Sequence, residues 1–226
     1  MLDLQSLVMS ALAVVIGIVV HESSHALAAY ALGDKTARSR GRVSLNPLRH
    51  IDPFGTVVLP LLMIAMGGPV FAFAKPVPVY LNNLKHPRRD EVIVSLAGPA
   101  SNIVLAVLSA ALLGVLDSAL GAGVLAWQAA NVLATFAITS LSVNLSLAFF
   151  NLIPFPPLDG SSILVLFLKG RPLERYYEIQ RYSMPILIIV LYFIPRFTGI
   201  DLIGAYFDLT VYPLGNALLS WALGGF

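Results

Sequence analysis

His21-Glu22-Ser23-Ser24-His25 sets two imidazoles four positions apart, with a carboxylate next to the first. On a helix, residues i and i+4 share a face, so both rings can turn a nitrogen toward one zinc ion. Glu22 stands beside them as a general base for a water activated at that metal. In a soluble chain this pattern reads as a metalloprotease helix. Here it lies inside an almost uncharged apolar run from Leu4 to Leu32. Ionisable groups at membrane depth are costly and by default mark function. A single buried His–Glu pair also occurs as a structural hydrogen-bond unit. Three ionisable residues within five positions of an apolar helix weigh against that reading.

A catalytic zinc needs a third protein ligand and an open position for water. The chain has no cysteine, so the ligands must be His, Asp, Glu or backbone. Asn151-Leu152-Ile153-Pro154-Phe155-Pro156-Pro157-Leu158-Asp159-Gly160 closes another apolar stretch. Its prolines cannot continue a helix, so the chain unwinds beside a carboxylate and a glycine. Taken alone, this is an ordinary turn with Asp159 capping the next helix. Taken with the histidine pair, Asp159 is the third ligand, and His21, His25 and Asp159 hold one Zn2+.

The elements that must carry these residues are apolar. Of 226 residues, 58% are hydrophobic and 12% charged, against about 25% charged in soluble domains; mean hydropathy is +0.83. The expected fold is an all-α polytopic membrane protein with about five to six membrane segments. The stretches are Leu4–Leu32, Phe54–Ala74, Val92–Leu116, Val124–Ile153, Met184–Ile194 and Leu209–Leu223. The fifth is bounded by Pro185 and Pro195, and Pro213 and Gly215 bend the sixth. A net charge of +2 gives no footprint for nucleic acid. One domain, 1–226, is expected, with a catalytic core at about 4–165 and C-terminal membrane segments at about 183–226. Leu4–Leu32 reads as a retained helix and not a signal peptide.

Phe54–Ala74 has two readings. Lys35, Arg38, Arg40, Arg42 and Arg49 precede it; Lys75, Lys85, Arg88 and Arg89 follow it. Basic loops stay in the cytoplasm. A re-entrant excursion, reversing at Gly67-Gly68-Pro69, keeps both flanks on that side, whereas a full span separates them. The re-entrant or extended form after the first helix is favoured. The metal site then lies within the membrane toward the cytoplasmic side.

In order along the chain, these motifs resemble the site-2 protease family of intramembrane zinc metalloproteases. The resemblance rests on His21–His25, on Asn151–Gly160 as NxxPxPxxDG, and on Ala97-Gly98-Pro99-Ala100-Ser101-Asn102 as AGPxxN. Ser44-Leu45-Asn46-Pro47 through His50-Ile51-Asp52-Pro53, and Lys75-Pro76-Val77-Pro78-Val79, are similar to the compact bacterial and archaeal members. No PDZ or other soluble domain is expected, because Gly114–Gly123 is too short to hold one. The resemblance implies zinc on His21, His25 and Asp159, and Glu22 as catalytic base. It implies hydrolysis of peptide bonds in or near transmembrane segments, a transmembrane protein substrate in a lipid bilayer, and a prokaryotic inner membrane. The alternatives are a membrane zinc transporter or channel, or a non-proteolytic relative. A transporter should show an internal repeat with broken helices, and none is visible.

Asn102, Asn144 and Asn151 lie within or at the ends of apolar helices. Each either bonds across helices or contacts substrate, donating to the scissile carbonyl or its oxyanion. Asn102 has the better claim to the second role because it matches the family element. His50 and His86 read as loop structure. Substrate identity and oligomeric state are not written in the sequence.

Overall fold

A computed structural model describes residues 4–58, 62 and 73–224. Its long helices are α1 (Leu4–Ala31), α2 (Pro87–Gly121), α3 (Trp127–Leu152), α4 (Arg171–Thr198), α5 (Leu202–Leu209) and α6 (Val211–Ala222). No strand occurs among the described residues.

Three of these, α1, α2 and α3, are long and apolar enough to cross a membrane. They pack against one another, and α6 closes on α2 and α3. The seams are lined by small residues: Ala13, Gly17, Ala26 and Ala29 on α1, Ala106 and Ala110 on α2, Ala137 and Ala148 on α3. Lipid tails are as apolar as leucine, so membrane helices associate through close backbone approach and polar bonds, which small residues permit. The larger apolar side chains point outward, among them Leu7, Leu12, Val104, Leu108 and Val115. A compact apolar cluster does form where Ala106, Ala110, Leu141, Leu145 and Val211 meet.

Of the expected five to six segments, the described residues show three helices that qualify as spans, or four if α4 and Leu202–Ala222, which meet at a 100° bend, count as one. The fifth stretch is longer than its prolines implied. α4 begins at Arg171, runs through Pro185 and Pro195, and ends with Gly199 in the left-handed region at φ 70°. An internal proline removes one i→i−4 bond and kinks a helix without always ending it. The polar first half of α4 is what keeps it from qualifying as a span. In the sixth stretch the break falls at Thr210, between α5 and α6, and Pro213 sits within the first turn of α6.

Most of Phe54–Ala74, including the proposed reversal at Gly67-Gly68-Pro69, lies outside the described residues. Its two ends are described, and they meet. Phe73 N–H donates to Gly55 O at 3.1 Å, and Lys75 N–H to His50 O at 2.9 Å. Thr56 Oγ1 donates to Phe73 O at 2.9 Å. Lys75–Val79 then carries no helix or turn. Pro76 and Pro78 dictate this, because each fixes its own φ and pushes the preceding residue to extended backbone.

Candidate active site

α1 continues straight through the histidine motif, so His21 and His25 emerge from one face in successive turns. Their rings lie 4.6 Å apart, edge to face. Asp159 arrives from a different part of the chain. α3 stops at Leu152, the proline run unwinds, and Asp159 opens a 3-10 turn over Asp159–Ile163. Gly160 is required there: a Cβ would sit 2.1 Å from Leu152 O. Asp159 Oδ2 lies 3.1 Å from His21 Nε2 and 3.4 Å from His25 Nε2. One ligand atom from each residue falls within 4.8 Å of the others.

The donor set fits a zinc ion on independent grounds. His21 Nδ1 is 2.6 Å from Asn102 Oδ1, and His25 Nδ1 is 2.7 Å from Val94 O. Both acceptors lack a proton, so each Nδ1 must be the N–H donor. The lone pair is then left on Nε2, the atom that faces Asp159. An acceptor behind each histidine is how metal-binding rings are oriented. The space between the rings is kept open by Gly98 of α2, where a Cβ would lie 2.4 Å from His25 Nε2 and 2.6 Å from His21 Nε2. One residue on, Pro99 removes a backbone donor from α2. Among the described residues no other cluster of His, Asp or Glu has this proximity.

Glu22 lines a cleft of 1920 Å³ together with His21, His25 and Asp159. Its carboxylate makes no hydrogen bond or ion pair among the described residues, which leaves it available to a water or a substrate. Other lining residues include Pro76, Val77 and Val79 on one side, and Tyr177, Met184 and Leu187 of α4 on another. Tyr177 OH donates to Glu91 Oε2 at 2.7 Å, tying α4 to α2.

The three asparagines fall in different places. Asn102 is fully buried, and its Nδ2 donates to Gly17 O at 3.2 Å and to Asn144 Oδ1 at 2.8 Å. With Oδ1 on His21, its whole amide is engaged within the protein. Asn144 is also fully buried and donates to Ser140 O. Asn151 lines the cleft, with its Nδ2 on Leu147 O. His50 is buried, with Nε2 2.7 Å from Ser44 O. His86 precedes α2, and its N–H donates to Asp90 Oδ2. Both have the loop roles expected of them.

Sequence reasoning singled out neither Gly98 as the space-maker nor Val94 O as a ring acceptor. The AGP element was a signal for the first. A main-chain carbonyl leaves no signal at all.

The sequence model of peptidase family M50 matches residues 9–193. The chain belongs to that family, the site-2 protease family. "Putative zinc metalloprotease YwhC" of Bacillus subtilis is 36% identical over 203 residues, covering 90% of this chain and 84% of that protein. "Putative zinc metalloprotease Rip2" of Mycolicibacterium smegmatis is 34% identical over 173 residues, covering 76% of this chain and 62% of its own length. Rip2 of Mycobacterium tuberculosis is 29% identical over 184 residues, covering 81% of this chain and 66% of that protein. No solved structure matches. The chain is thus a zinc metalloprotease of family M50 and, by its three apolar helices, an integral membrane protein.

Proposed function

We propose that this metalloprotease cleaves peptide bonds in or near the transmembrane segments of membrane proteins. His21, His25 and Asp159 are the ligands, and Glu22 is the base. The observation that carries the reading is the position of an unpaired Glu22 beside a three-ligand cluster, in an apolar cleft among membrane-length helices. From His21 to the end of α1 at Ala31 is ten residues, or roughly 15 Å. That is about half the hydrocarbon thickness of a bilayer.

Bound zinc supplies a Lewis acid that acidifies water and polarises the scissile carbonyl. The chain's own residues do the rest. His21 and His25 present Nε2 in a fixed orientation because Asn102 and Val94 hold the opposite ring nitrogens. Glu22 takes the proton of the attacking water and returns it to the leaving amine. Asn151, the asparagine that lines the cleft, is the residue placed to meet substrate backbone; Asn102 and Asn144 support the site from behind.

The substrate enters as an unwound chain. Val77 and Val79 line the cleft, and their main-chain N–H and C=O groups have no partner among the described residues. An extended peptide can add to such an edge through main-chain bonds. The joined ends of the Phe54–Ala74 stretch support a re-entrant excursion, since the ends of a single span would lie about 30 Å apart. With both basic flanks in the cytoplasm, the site opens toward that side of a prokaryotic inner membrane. Residues 1–226 act as one domain, with the core at about 4–165 and the membrane segments at about 183–226 as a further wall.

The test uses purified protein in lipid with a panel of membrane-spanning substrates, with and without a chelator. Glu22→Gln is expected to retain zinc and lose cleavage, because ligands persist and only proton transfer is removed. Asp159→Asn is expected to lose both zinc and cleavage. Full cleavage by zinc-loaded Glu22→Gln would overturn the mechanism.

A further inference from the structure

Arg42 is a buried cation whose contacts among the described residues are main-chain carbonyls, with Glu22 attracting it from beyond ion-pair distance. It is 5% exposed. Its guanidinium donates to three main-chain carbonyls: Arg49 O, Lys75 O and Pro76 O, the last at 2.8 Å. No carboxylate lies within ion-pair distance of it among the described residues. Burying a charge whose hydrogen bonds all go to carbonyls, with its counter-charge Glu22 out of contact, is unfavourable unless the position matters. The planar, five-donor fork of arginine can reach several carbonyls at once, which a lysine ammonium cannot do in the same geometry.

The contacts of Arg42 belong to a seam that runs from the catalytic helix to the cleft wall. Ser23, between the two metal-binding histidines, donates from Oγ to Ser44 O at 2.6 Å. His50 Nε2 reaches the same oxygen, and His50 O accepts from Lys75 N–H. The loop after α1 is therefore bonded at one side to the histidine motif and at the other to Lys75 and Pro76. At the far end of the segment, Asp34 Oδ2 accepts from Tyr80 N–H at 2.7 Å. Between these two clamps lie Val77 and Val79, in the same cleft as Glu22.

We infer that Arg42 is a positioning residue. It fixes the place of the Lys75–Tyr80 segment relative to Glu22, and so selects which peptide bond of a bound chain lies at the base. The inference rests on the protease reading above. Arg42 touches neither the metal ligands nor the reacting atoms. Its loss shifts the wall and leaves the cluster of His21, His25 and Asp159 intact.

Two measurements on the full chain in lipid test this. The first places spin labels at Leu27→Cys and Lys75→Cys, the latter at the end of the segment that Arg42 holds, in the otherwise cysteine-free protein and reads their distance distribution. It is expected to be narrow with Arg42 present, broad in Arg42→Gln and intermediate in Arg42→Lys. An unchanged distribution in both variants overturns the inference, whatever the activity. The second compares zinc content, kcat, KM and the bond cut in a membrane-spanning substrate, mapped by mass spectrometry. Zinc content should match the wild type, kcat/KM should fall by about 10²-fold, the scale of a small misplacement of substrate, and cleavage should spread to neighbouring bonds. A single unchanged scissile bond with unchanged KM overturns the inference, as does loss of zinc together with fold in both variants. A broadened distribution in a chain whose wild type cleaves nothing upholds Arg42 as the clamp and counts against the protease reading alone.

Discussion

His21 Nδ1 and Asn102 Oδ1 are 2.6 Å apart, joining α1 to α2 behind the cluster of His21, His25 and Asp159. The same amide bridges to Asn144 on α3 and to Gly17 O on α1. One buried side chain thus links the three membrane-length helices and sets the tautomer of a proposed metal ligand. Asn102→Leu keeps the volume and removes the acceptor. Zinc affinity should fall by about 10–100-fold, the usual cost of losing such a partner, and stability by roughly 0.6–2 kcal/mol. Excess zinc should then restore most of the turnover. Turnover that stays about 10²–10³-fold low at full zinc occupancy would instead assign Asn102 to the oxyanion.

Gly98 faces both Nε2 atoms. In a helix interior, glycine to alanine ordinarily stabilises by about 0.5–1 kcal/mol. Here the added methyl would occupy the space beside the Nε2 atoms of His21 and His25. Gly98→Ala should therefore keep its helical circular dichroism and lose zinc. Metal analysis of the purified variant decides the point; a full zinc complement would show that the rings give way and that Gly98 is not the space-maker.

The meeting of Gly55 with Phe73, and of His50 with Lys75, predicts a topology. Arg40→Cys and Lys85→Cys, both at exposed positions, should react with an impermeant thiol reagent from the same, cytoplasmic side. Ala122→Cys, in the turn between α2 and α3, should react from the other. Labelling of the first two from opposite faces would make Phe54–Ala74 a full span.

Asp34 gives a pH dependence. Burial alone would raise its pKa, but donors from Thr36, Tyr80 and Asn83 outweigh this and bring it to about 2. A carboxyl depressed in the fold contributes stability above its unfolded pKa of about 3.8, and that stability is lost as pH falls through this value toward 2. Asp34→Asn should therefore melt lower than the wild type at pH 6, with the gap closing as pH approaches 2. Melting curves of both proteins across this range check it; a gap independent of pH would mean that the hydrogen bonds, not the charge, hold the Tyr80 end of the segment.

Much of the candidate site was legible in the chain because its chemistry is encoded locally. The spacing of His21 and His25 needs only a helix to bring them together, and the apolar flanks guarantee one. The prolines before Asp159 announce an unwound carboxylate, although nothing local says what it faces. Glu22 needs no partner within the protein to be read as a base. Composition alone made the chain a helical membrane protein.

The tertiary structure decided what depends on close approach between distant segments. His21 and Asp159 are 138 residues apart, and their contact follows from α1, α2 and α3 packing on small residues. In the sequence Asn102 had the better claim to substrate contact and Asn151 the weaker. Packing buries the first behind His21 and leaves the second lining the cleft, because a membrane helix shows no polar stripe from which facing can be read. The extent of the fifth stretch also came only from the structure, where one helix, α4, runs through both Pro185 and Pro195. Arg42 was one basic residue among several in a loop. Only the fold, by bringing Arg49, Lys75 and Pro76 to one point, gave its donors their carbonyls.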